Sequence, residues 1–178
     1  PGCSGSDSHT VAVNGNPTPT ITGGTEVCAG GSTMLDAGGG YAGYLWSTGD
    51  TTQAITVNVS GGYTVAGYDT NGCRNLSDTM AVTVHALPDP TITPSGSTTL
   101  CEGDTLVLTA PAGHAGYFWS TGAYTRSIAV VASGLYSVAV VDSFGCRAAS
   151  DTLPVMVNAR PAKPTLATYG RTCAESSE

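Results

Sequence analysis

A stretch reading YLWSTGDTTQAI begins at Tyr44 and returns as YFWSTGAYTRSI at Tyr117, 73 residues later. The correspondence is not local. Residues 28–88 align without a gap onto 101–161, with about half of the positions identical. Upstream, PTPTIT from Pro17 answers PDPTIT from Pro88, with two extra residues in the second copy, and insertions of that kind fall in loops or edges. Fixed-period self-similarity means that one small folding unit is used repeatedly. The ends join the pattern: GCSGSDSHTVAV from Gly2 matches GCRNLSDTMAVTV from Gly72, and PAKPTLATYGRTCA from Pro161 opens another copy. The expected organisation is therefore the last strand of a preceding repeat at 1–14, whole repeats at 15–87 and 88–160, and the start of a following repeat at 161–178. The two ends read as cuts through a longer array.

Within one repeat, short β-branched runs alternate with Gly, Asn, Asp and Ser clusters, which predicts an all-β sandwich without helices. PTIT reads as strand A, STMLDA as B, YLWS as C, QAITVNV as E, GYTVAGYD as F and DTMAVTV as G, with turns at AGGGYAG, STGD, SGG and DTNG. DTNG carries a type I′ hairpin signal. Alternation turns Leu35, Trp46, Ile55, Val57, Tyr63, Val65, Val82 and Val84 inward, and Leu108, Trp119, Ile128, Val130, Tyr136, Val138, Val155 and Val157 repeat them. A single Trp on strand C with a Tyr opening strand F is the core signature of an immunoglobulin-like sandwich. Trp46, Trp119, Tyr63 and Tyr136 are thus read as core anchors, in preference to a carbohydrate-stacking role for the tryptophans. The fold class is tandem immunoglobulin-like β-sandwich repeats stacked end to end. The linkers HALPDP and NARPAKP are short and proline-punctuated, which favours extended, stiff connections.

Charge excludes some partners. Six Lys and Arg stand against 13 acidic residues, for a net charge of −7, which disfavours nucleic acid and anionic membrane surfaces. No apolar run reaches the roughly 20 residues of a membrane helix, and neither end reads as a signal peptide.

All six cysteines fall on the repeat. Cys28, Cys101 and Cys173 follow strand A; Cys3, Cys73 and Cys146 follow the F–G turn in a Gly-Cys pair. Such regular placement in an acidic, Thr-rich chain argues for disulfides in an extracellular compartment. Zinc lacks its C-x-x-C spacing, and His9, His85 and His114 occupy unmatched positions. Pairing within a repeat, Cys28 with Cys73 and Cys101 with Cys146, is one option. It places a cysteine before strand B and one after strand F at opposite ends of a sandwich, roughly 20 Å apart at about 3.3 Å per residue, against the about 4.4–6.8 Å between Cα atoms that a disulfide spans. Stacked repeats instead favour Cys28 with Cys146, leaving Cys3, Cys73, Cys101 and Cys173 to pair outside the chain.

The order C-x-G, L-x-A, Y-x-W-S-T-G, I-x-V, S-G-x-Y-x-V, D-x-x-G-C and V-x-V resembles the tandem immunoglobulin-like, PKD-related repeats of giant cell-surface proteins and gliding adhesins of Bacteroidota exported by type IX secretion. The resemblance covers nearly the whole chain. It implies an exported fibrous protein without an active site. It also implies O-glycans on Asp-Thr followed by an aliphatic residue, Met or Thr, which this chain offers at Thr51, Thr79, Thr105 and Thr152; the alternative is a solvated polar pair opening a strand.

No G-x-S-x-G elbow, H-E-x-x-H helix or phosphate loop appears, so no catalytic, cofactor-binding or metal site is expected. Calcium near Asp69, Asn71, Asp78 and Asp142 is a softer alternative. Two functions remain. One is a structural module of an extracellular fibre or stalk, partnered by neighbouring repeats and copies of the same protein. The other is a glycan- or cell-binding adhesion module of flexible, independent domains, recognising through turns such as AGGGYAG and PAGHAG. Tyr41, Tyr68 and Tyr124 do not recur between copies, which favours the first.

Overall fold

A computed structural model describes residues 2–164. All regular structure in them is β. The first repeat forms β1 (Thr22–Gly23), β2 (Glu26–Cys28), β3 (Thr33–Asp36), β4 (Gly43–Trp46), β5 (Ala54–Val57), β6 (Gly61–Tyr63), β7 (Val65–Tyr68), β8 (Arg74–Leu76) and β9 (Met80–His85). They join as β1-β3-β5, β4-β7-β8 and β2-β9-β6. Every pairing is antiparallel except β2 with β9, which run parallel with Cys28 opposite His85. The second repeat follows the same plan with β10 (Thr93–Pro94), β11 (Thr99–Cys101), β12 (Leu106–Thr109), β13 (Gly116–Trp119), β14 (Ser127–Val130), β15 (Gly134–Tyr136), β16 (Val138–Val141), β17 (Arg147–Ala149) and β18 (Leu153–Asn158). There β11 pairs parallel with β18 and sets Cys101 opposite Asn158. Two compact units result. The first runs up to Asp89 and includes Gly113–Gly116 and Val140–Ala148; the second holds Pro90–Ala112, Tyr117–Ala139 and the residues from Ala149 onward.

The repeated YxWSTG block is explained locally. Gly49 and Gly122 take positive φ to turn the chain back on its tryptophan, whose carbonyl accepts the glycine N–H at 2.9 Å in both copies. The indole N–H then donates across the loop, from Trp46 to the Thr52 carbonyl at 2.8 Å and from Trp119 to that of Thr125 at 2.7 Å. Each ring is thus buried with its one polar atom satisfied. Tyr63 donates its hydroxyl to the Val59 carbonyl at 2.8 Å, and Tyr136 to that of Ala132 at 2.9 Å, which fixes the corner into strand F.

Four features differ from the strand reading. Strand A contributes little: of PTIT only Thr22 enters β1, because Pro17 and Pro19 bring no backbone donor to a ladder. Strand F is split at Thr64 and Ser137, and its second half pairs with RNL, which the pattern leaves outside any strand. At the split the F–G register slips by one residue, from Ala66 opposite Leu76 to Tyr63 opposite Met80. That is a β-bulge. The Ser77 hydroxyl repairs it, accepting the Val65 N–H at 3.0 Å and donating to the Asp78 carbonyl at 2.8 Å, and Ser150 does the same for Val138 and Asp151.

DTNG is the third correction. Type I′ needs positive φ at both central residues, but only Gly72 has it, since among the described residues no non-glycine takes positive φ. The Gly72 N–H bonds the Asp69 carbonyl at 3.2 Å, a turn closed by one left-handed glycine. Finally, Val84 and Val157 are only half-buried at the rim, whereas the other fourteen inward assignments are buried. Val27, Ala37, Leu106 and Ala110 join them in the core without having been expected there.

Candidate functional site

The feature that ties distant parts of the chain together is built from two ordinary turns. Cys28 closes β2. Its strand is held to β9 by parallel pairing, the Ala29 N–H bonds the His85 carbonyl at 2.8 Å, and the Gly31 N–H returns to the Cys28 carbonyl at 2.8 Å. Cys146 lies just past the turn that joins β16 to β17. One oxygen of Asp142 accepts the N–H of Phe144 at 2.9 Å and of Cys146 at 2.8 Å, and the Asp142 N–H bonds the Cys146 carbonyl at 3.0 Å. The aspartate thus prescribes where the cysteine backbone stands.

Both cysteines belong to the first compact unit. They form a disulfide with Cα atoms 5.5 Å apart, closing a sequence separation of 118 residues, and Cys146 is 1% exposed. The within-repeat alternative is absent: Cys73 and Cys101 are free, as is Cys3. Sandwich direction explains this, since β2 ends at the rim where β9 ends, beside His85, while Cys73 follows the β7–β8 turn. Cys173 lies outside the described residues.

Next to the bridge stands an aromatic stack that sequence reading missed. The rings of His85 and Phe144 lie face to face with centroids 3.7 Å apart and planes 13° from parallel. The Glu26 carboxylate meets His85 Nε2. His85 is the register partner of Cys28, and Phe144 precedes Cys146 by two residues, so stack and disulfide are adjacent on both sides.

The same turn in the first repeat positions Cys73. Asp69 accepts the N–H groups of Asn71 at 2.9 Å and Cys73 at 2.8 Å. Desolvation works against its charge, and these N–H groups overcome it, holding the carboxyl below the usual carboxylate range. Asp69 and Asp142, considered as calcium ligands, thus direct carboxylate oxygens at their own turns. Among the described residues no group of three or more His, Cys, Asp and Glu side chains is placed to hold a metal ion. Thr51, Thr79, Thr105 and Thr152 are all exposed. Trp46 and Trp119 are 2% and 4% exposed, and Tyr63 and Tyr136 are buried. His9 is exposed and His114 half-buried. Tyr41 packs edge-on against Tyr44, and Tyr124, largely exposed, packs edge-on against Phe118.

No family profile and no curated protein sequence matches the chain. Solved structures do. A crystal structure of murine CEACAM1b matches at 14% identity over 79% of this chain and 99% of its own, with a TM-score of 0.38. Fibronectin(III)-like modules of Clostridium thermocellum CbhA match at 14% identity over 84% and 100%, with a TM-score of 0.42. A chain in the structure of a mouse coronavirus receptor-binding domain complexed with its murine receptor matches at 11% identity over 78% and 100%, with a TM-score of 0.43. The assignment of an immunoglobulin-like sandwich rests on the strand order and the Trp and Tyr anchors of the chain itself.

Proposed function

We propose that this chain is a structural module of an extracellular fibre or stalk, in which disulfides brace successive repeats. The observation that carries the reading is the Cys28–Cys146 bond, which ties the first repeat to the second across 118 residues. A tandem array joined only by linkers behaves as beads on a string. A second covalent connection between neighbours restricts their relative motion and suppresses the openings that proteases exploit. With only 6 Lys and Arg, the chain also offers few basic cleavage sites. The free Cys73 and Cys101 are the matching halves of the next bridges, Cys73 toward a preceding repeat and Cys101 toward a following one. Disulfides of this kind belong to oxidising surroundings. The resemblance to Bacteroidota surface repeats supports placing the fibre on a cell surface, with the exposed Thr51, Thr79, Thr105 and Thr152 as glycan attachment points.

Peptide mapping of the unreduced protein, paired with small-angle scattering before and after reduction, tests this reading. A Cys28–Cys146 peptide, with a maximum dimension whose distribution broadens on reduction, supports it. Cys28–Cys73 and Cys101–Cys146 peptides, or scattering indifferent to reduction, overturn it.

A further inference from the structure

Among the described residues, Cys73 and Cys146 share one backbone setting, and Cys28 and Cys101 share another. Cys73 is held by Asp69 as Cys146 is by Asp142, and Cys101 stands opposite Asn158 as Cys28 stands opposite His85. Sandwich direction keeps Cys28 from the Cys73 of its own repeat, but thiol chemistry alone gives it no reason to prefer Cys146 over the free Cys73 of a second molecule. The surroundings differ in one respect. At the bonded pair, the flanking positions are His85 and Phe144; at the unbonded pair, the equivalents are Asn158 and Asn71. Two rings stack only where the bond forms. Glu26, which orients His85 through Nε2, is replaced by Thr99 in the second copy. Phe144 remains 61% exposed, so a core-filling role does not account for it; the face it covers is that of His85.

We infer that the Glu26–His85–Phe144 cluster is a recognition clamp that selects which cysteines pair, acting before the bond forms. It docks the Asp142 turn against the end of β9 and thereby delivers Cys146 to Cys28. In a longer array each junction would then carry its own flanking pair, so that repeats join in order and do not exchange partners. The inference rests on the brace reading above and adds to it the residues that specify the partner. Disulfide formation itself needs an external oxidant, here a glutathione redox pair: each thiol loses its proton, the two sulfurs join, and oxidised glutathione takes up the two electrons.

The test is competitive oxidation. The whole chain is reduced, refolded at fixed concentration in a glutathione redox buffer, quenched by alkylation and mapped by peptide mass spectrometry, reading the ratio of Cys28–Cys146 to Cys28–Cys73, the latter formed between molecules. Phe144→Asn and His85→Asn each install the residue of the other copy; Phe144→Tyr keeps a stacking ring. An aromatic pair of this kind is expected to change the ratio about two- to twelvefold, so both Asn variants lower it by that factor while Phe144→Tyr holds the parent value. Burial of both tryptophans, read by fluorescence, confirms folding in each case, and should one Asn variant fail to fold the other carries the test. A parent-like ratio in the folded Asn variants overturns the clamp while leaving the brace intact. A parent protein without the Cys28–Cys146 peptide overturns the brace and the clamp with it.

Discussion

Removing the bridge is the perturbation whose size the structure defines most directly. The bond closes a loop of 118 residues, and the chain-entropy relation for that length gives about 16 cal/mol/K, or about 4.9 kcal/mol at 25 °C, taken from the unfolded state. If the second repeat stays folded while the first unfolds, the unfolded part of the loop shrinks to about 60 residues and the figure to about 4.3 kcal/mol. The two values differ little because the dependence is logarithmic. For a domain of this size about 4 kcal/mol lowers Tm by about 15–30 °C. Cys146 is buried, at 1% exposure, so Cys28→Ala/Cys146→Ala also loses sulfur packing, and the cleaner comparison is the same chain oxidised and reduced. Free thiols are alkylated first to prevent exchange. Urea unfolding is then followed through Trp46 and Trp119 separately, using single Trp→Phe variants. A reduced chain that loses less than about 1 kcal/mol, with an unchanged denaturant slope, would refute the claim that this bond constrains the unfolded ensemble.

Other outcomes follow from single groups. Ser77 is 8% exposed, so Ser77→Ala strands the Val65 N–H at the bulge and is expected to cost about 1–3 kcal/mol in a urea melt; a loss below about 0.5 kcal/mol would mean that water takes the place of the hydroxyl. In the unreduced protein, iodoacetamide is expected to label Cys101 and Cys3 fast and the half-buried Cys73 slowly, with Cys28 and Cys146 labelled only after reduction; early label on Cys28 would contradict the bond. The side-chain amide of Gln53, at 3.1 Å, and the Gly38 N–H, at 2.7 Å, hold the Asp36 carboxyl below its ordinary value. A depressed folded pKa stabilises above the unfolded pKa of about 3.9, and that contribution fades as pH falls through the folded value. Gln53→Ala is therefore expected to move the Asp36 midpoint upward in a carboxyl NMR titration, and an unmoved midpoint would show that the Gly38 N–H alone sets it.

What could be read from the sequence divides along a physical line. Trp46, Leu35, Tyr63 and their second-copy equivalents were legible because a buried side chain on a strand must recur at every second residue, and the same pressure acted on both copies. The F–G bulge was not, because period-two reasoning runs through Ser77 as though the strand were unbroken. Nothing marks a serine hydroxyl as a substitute for a missing ladder bond. β8 was invisible for a related reason: Arg74, Asn75 and Leu76 are all exposed, so no alternation distinguishes the strand from a turn. The His85–Phe144 stack escaped differently. Aligning the copies credits positions where they agree, and here they disagree, His85 against Asn158 and Phe144 against Asn71. Identity between repeats reports what each sandwich needs to close its own core. A side chain that must match a partner in the other copy is under no pressure to match its own equivalent, and where it does so it loses the power to discriminate. Phe144, two residues before Cys146, and His85, the strand partner of Cys28, are therefore the positions at which a tandem array of nearly identical thiols can encode order.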